Sequence, residues 1–163
     1  MSSQTITNVA NIALAISVVV AVIFGIAQVK AAARDRRERL TLEVIRQFQT
    51  REFAELLHFI NRHKLPQDND GRKKMPDEDQ IMMIQLAQQM ESLGLLVAEK
   101  LVDIDLVDKT LGAFVTTSWE KYKPMFLSMR GSDPFLGEYY QWLAEYIDHR
   151  MTECPRQPFN ERK

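Results

Sequence analysis

Residues Val9 to Val29 read VANIALAISVVVAVIFGIAQV, a run without charge or proline. Its only polar members are Asn11, Ser17 and Gln28. At a rise of about 1.5 Å per residue, a helix of that length crosses the roughly 30 Å hydrocarbon core of a bilayer. Only a helix or a closed barrel satisfies its own backbone in lipid, so the run predicts one transmembrane helix. The rest of the chain is then a tethered domain.

Charge gives the expected orientation. The leader MSSQTITN carries no charged side chain, whereas Lys30, Arg34, Arg36, Arg37 and Arg39 follow the run, interleaved with Asp35 and Glu38. Basic residues beside a span stay on the cytoplasmic side, which puts the amino end outside and the carboxyl domain in the cytosol. These few basic residues also allow weak contact with anionic lipid. A cleaved signal peptide ending at Ala31–Ala33 is the competing reading. It fits poorly, because the leader has no basic start and the positive charge follows the apolar run. A buried soluble helix rarely reaches this length without a charge.

Ala13, Ser17, Ala21 and Gly25 recur every four residues on one face of the span. Small side chains at that spacing let two helix backbones approach, which predicts self-association. Alanine is also common in this segment, and that alone accounts equally well for the pattern.

About 130 of the 163 residues follow the span, enough for one compact domain. The net charge of −1 and pI near 6.3 give no footprint for a nucleic acid polymer, and none is expected as a partner. The single cysteine, Cys154, excludes an internal disulfide, in keeping with a reducing compartment.

Helical periodicity runs through the remainder, and no stretch alternates like a strand. Residues 30–63 form a juxtamembrane helix continuing into the bundle, with Leu42, Ile45 and Phe48 in phase. The apolar phase breaks near Gln49–Arg51, where a kink and a continuous helix are both tenable and Thr50 is a candidate cap. Pro66 ends helix by His63. Residues 64–77, KLPQDNDGRKKMPD, read as a solvent loop.

Residues 78–152 hold the other bundle helices. One opens at the acidic Asp77–Asp79 turn and carries the stripe Met83, Leu86, Met90, Leu93, Val97 and Leu101, with Gly94 beside it for close helix approach. The next starts at an Asp105 cap and carries Val107, Leu111, Phe114, Tyr122, Met125 and Met129. A kink is expected before Pro124, and Gly131 is the expected terminator. Asp133–Pro134 reads as the start of a last helix with Leu136, Tyr140, Leu143 and Ile147 inward. Residues 153–163 are a frayed tail. The fold class is all-α: a single N-terminal transmembrane helix, after the 1–8 extracytoplasmic segment, followed by a cytosolic bundle of about four helices.

Catalytic and metal signatures are weak. His58 and His63 are five apart, whereas two ligands on one helical face need three or four. Cys154 has no evident base, and phosphate-loop, dinucleotide and nucleophile-elbow motifs are missing. No catalytic residue, metal or cofactor is expected. Glu91, Trp119 and Arg130 stand out. An antiparallel hairpin turning about Asp103 places Glu91 near Trp119, whose indole N–H needs an acceptor if buried. It also brings Arg130 toward Asp77 and Asp79.

QMESLGLLVAEKLVDIDLVDKTLGAFVTTSWEKYKPMFLSMR, Gln89 to Arg130, resembles an uncharacterised bacterial domain-of-unknown-function family. The shared pattern is a Glu, Gly-Leu-Leu, a turn ending in Asp, a Trp and an Arg, at Glu91, Gly94–Leu96, Asp103, Trp119 and Arg130. This chain departs from it in having Lys100 where a glycine is expected before the turn, and Gln89–Met90 in place of an Asn-Phe pair. The resemblance implies a short N-terminal span in the bacterial inner (cytoplasmic) membrane and a helical cytosolic domain, with no settled activity.

The function expected is a non-enzymatic, single-pass membrane-anchored interaction or scaffold module that self-associates or binds a protein partner, with membrane lipid around its span. The alternative is a ligand-gated membrane effector, for example in phage defence, in which a small ligand binds the cytosolic part; that reading is an analogy of architecture. A hydrolase resting on scattered acids ranks last.

Overall fold

A computed structural model describes residues 3–161, so Met1 and Ser2 of the expected outer segment and Arg162 and Lys163 of the expected tail lie outside it. The described chain is all-α: α1 Ser3–Gln47, α2 Arg51–Arg62, α3 Asn69–Lys73, α4 Asp77–Ala98, α5 Ile104–Met129 and α6 Glu138–Glu153, with a 3-10 turn at Phe159–Glu161. The chain divides into two units, residues 1–39 and 40–163.

The first unit is helix throughout its described length. From Asn11 to Arg36 each side chain is exposed, including Val18, Ile23 and Phe24. Its length and apolarity suffice to cross a membrane. α4 meets the same criterion by composition, but its stripe is core: Met83, Leu86, Met90, Leu93 and Val97 are buried.

The second unit is the bundle. Between α1 and α2 the helix breaks at Phe48–Thr50, which settles the alternative left open by the sequence. The Thr50 hydroxyl oxygen accepts from the Phe53 N–H at 3.2 Å, a side-chain N-cap. Phe53, Leu56, Phe59 and Ile60 then face the core. The Lys121 ammonium donates to the Ile60 carbonyl at 2.9 Å, serving the carboxyl end of α2 from α5.

The 64–77 segment is more structured than a solvent loop. Leu65 is buried, Asp68 caps α3 through the Gly71 N–H, and Arg72 donates to Asn69 and Gln80.

α4 ends in a Schellman motif. The Lys100 N–H donates to Val97 and the Leu101 N–H to Leu96, so Leu101 lies past the helix and is exposed. Lys100 takes the left-handed conformation this motif requires, at φ 58°. Asp103, not Asp105, caps α5, accepting from the Asp105 N–H at 2.8 Å. The Asp103 N–H in turn donates to the buried Thr41 hydroxyl, which fixes the turn to the last part of α1.

α5 runs unbroken through Pro124. Its return along α4 is marked by the Tyr122 hydroxyl, which donates to the Met83 carbonyl at 3.1 Å. α6 packs along both. Its start differs from expectation: Asp133 closes a local turn onto the Phe135 N–H, and α6 begins only at Glu138. Gly131 does not take the left-handed conformation; Gly137 does, at φ 68°, and any Cβ there would press on the Phe126 ring. Tyr140, Leu143 and Ile147 are buried as expected, and Leu136 partly so. The tail is not wholly frayed, because Arg156 folds back onto Asp108 of α5.

Candidate functional site

Three of the residues singled out by pattern, Glu91, Trp119 and Arg130, meet at the start of α6. Gly137 offers no capping side chain, so the first turn of α6 leaves amide donors open. Glu91 of α4 fills that role from outside: the Tyr139 N–H donates to Oε1 at 3.1 Å and the Tyr140 N–H to Oε2 at 2.9 Å. The carboxylate thus sits at the positive end of a helix dipole, where it is stabilised. Such a bond needs α4 and α6 in near contact, and Gly94, one turn on, provides it. A Cβ at Gly94 would overlap the Tyr139 carbonyl oxygen.

Arg130 grips the same connection by its carbonyls. Its guanidinium donates to Leu136 O at 3.0 Å, Gly137 O at 3.3 Å and Gln141 Oε1 at 2.6 Å. The expected tie to Asp77 and Asp79 is therefore corrected. The carbonyls of the α5–α6 loop lie within a few residues of Arg130 and take its donors.

Trp119 stacks on Phe126 and meets the edge of Tyr140, with ring centroids 5.0 Å apart in the latter pair. Its indole N–H is buried with no hydrogen-bond partner, so the expected acceptor role of Glu91 is also corrected. Both Glu91 oxygens are already committed to α6. Beside Trp119, the Tyr140 hydroxyl and Ser118 share a 2.6 Å hydrogen bond. Burial raises the hydroxyl pKa of Tyr122 and of Tyr140 well above the ordinary phenol range; at Tyr140 the Ser118 bond pulls the other way. Glu91, Trp119 and Arg130 thus converge on residues 136–141, while Asp103 serves the start of α5.

In the first unit, Ala13, Ser17, Ala21 and Gly25 lie on exposed helix, and nothing lies within 4 Å of a Cβ built at Gly25. The Ser17 hydroxyl donates to the Ala13 carbonyl at 2.8 Å, so it is satisfied within its own helix. Lys30, Arg34, Arg36 and Arg39 are exposed, Arg37 is half-buried, and Arg34 pairs with Glu38 at 2.9 Å.

Sequence patterns did not show a groove in the bundle, of about 330 Å³. Its apolar floor is Met83, Met125 and Phe126, and Arg72 and Glu91 stand among its polar walls. Arg72 comes from the segment read as solvent loop, and no spacing connects it to Met125. Among the described residues, no group of three or more His, Cys, Asp or Glu side chains could hold a metal ion.

Comparison with known families decides the assignment. A model described as a domain of unknown function, DUF4760, matches residues 15–147, which take in most of the apolar run and the bundle through Ile147 of α6. The chain belongs to the DUF4760 family. The family's match covers Glu91, Asp103, Trp119 and Arg130; the hydrogen bonds of Glu91, Asp103 and Arg130 hold helix starts and the α6 junction, and Trp119 packs on Tyr140. No curated protein and no solved structure matches the chain.

Proposed function

We propose that this DUF4760 chain is a single-pass membrane-anchored interaction module, non-enzymatic, with α1 as its anchor and the bundle facing the cytosol. The exposed helix from Asn11 to Val29 carries this reading. An apolar surface of that extent is unfavourable in water and needs lipid or a second helix around it. The basic residues after the run support the orientation. The open face at Ala13, Ser17, Ala21 and Gly25 supports pairing of two copies.

The test is self-association of the full chain in lipid nanodiscs or a bilayer reporter assay. The double variant Ala21→Leu with Gly25→Leu is expected to weaken it severalfold. Unchanged association would remove self-pairing through this face. The groove in the bundle favours a second reading, a membrane effector gated by a small ligand.

A further inference from the structure

We infer that the groove between α4, α5 and the α5–α6 loop binds a small amphipathic carboxylate, its apolar body on the methionine floor and its head on Arg72. At about 330 Å³ the groove lies at the lower end of small-molecule pockets. Met83, Met125 and Phe126 form its buried floor. Ile84 is exposed, and Met129 and Leu136 are only partly covered, so this apolar surface faces water in the free chain. Methionine walls adapt to apolar bodies of varied shape.

Arg72 selects the head group. It is half-buried, and its hydrogen bonds go to neutral amides alone: Nε and Nη2 donate to Asn69 Oδ1, and Nη1 donates to Gln80 Oε1. No carboxylate of the described residues pairs with it. A guanidinium has five N–H donors, so one remains on each terminal nitrogen. Charged donors of this kind suit a carboxylate. Glu91, the acid in the same wall, does not compete for Arg72, since its oxygens accept from Tyr139 and Tyr140. Lys73, the next residue, pairs with Asp70 at 4.0 Å, and Asp68 turns its Oδ1 to the Gly71 N–H. The inference concerns binding alone and does not depend on whether α1 spans a membrane.

The test uses the full chain in phosphatidylcholine nanodiscs, with labelled methionine methyl groups observed by NMR and octanoate as the probe. Octanamide, a neutral analogue, controls for partition of an apolar chain, and Met151, outside the groove, serves as an internal reference. Octanoate is expected to shift the Met83, Met125 and Met129 signals saturably and Met151 little. Arg72→Gln is expected to weaken octanoate about tenfold, the loss of a charge-assisted contact, and to leave octanamide unchanged. Arg72→Lys, which keeps the charge but not the guanidinium fork, is expected to bind octanoate more tightly than Arg72→Gln and more weakly than the parent chain, and guards against a merely unfolded loop. The inference is overturned if the groove methionines show no saturable shift, or if Arg72→Gln binds octanoate as well as the parent chain does.

Discussion

Lys100 shows how one side chain can sit against its backbone. The Schellman motif after α4 needs a left-handed residue, and lysine pays a Cβ penalty there that glycine does not. The side chain is exposed, so little packing is lost by removing it. Lys100→Gly is therefore expected to stabilise the bundle by roughly 0.5 to 1 kcal/mol, read as a rise of a few degrees in Tm. An unchanged or lower Tm would contradict this. Periodicity runs this helix on to Leu101, so only the resemblance, whose pattern expects glycine where Lys100 stands, made the position legible. The partners of Glu91 and Arg130 were not. Spacing places Glu91 at the edge of a stripe and Arg130 at a helix end, but the groups they bind belong to the α5–α6 loop and the first turn of α6, whose start the composition at Asp133–Pro134 places too early.

At the scale of helices, the apolar stripes located α4 and α5 well, because each stripe faces one continuous core. Boundaries set by turn chemistry were harder to read. Asp133–Pro134 has the composition of a helix start, yet the chain spends it on a local turn and delays α6 to Gly137, where the Phe126 ring leaves room only for glycine. The hydroxyls of Tyr122 and Tyr140 tie α5 to α4 and α6, and they make helix packing sensitive to alkali. Burial holds their protons above the ordinary value of 10.0. Below that pH the folded and unfolded chains both keep the protons, and the contribution to stability is intact. Above it the unfolded chain releases them first, so stability falls as pH rises, by about 1.4 kcal/mol per pH unit for each tyrosine. Urea midpoints measured between pH 9 and 11 are expected to fall less steeply for a Tyr122→Phe, Tyr140→Phe double variant. An identical fall would show that other groups carry the pH dependence.

At the scale of the whole molecule, the sequence ends its apolar run at Val29, while the structure divides ten residues later, between Arg39 and Leu40, into an exposed helix and a packed bundle. The division was legible because a bilayer and a protein core impose different patterns, a continuous apolar run in one case and a stripe in the other. The groove was not legible, since its walls come from segments brought together only by tertiary packing. The proposed orientation places the exposed Cys154 in the cytosol. A membrane-impermeant maleimide is expected to label it only after permeabilisation, and labelling of intact cells would reverse the topology. Everything proposed about role rests on α1 being solvated by lipid. Alkaline carbonate extraction of membranes bearing the full chain tests that most directly. The chain is predicted to stay in the pellet with integral proteins, and its release into the supernatant would contradict the anchor.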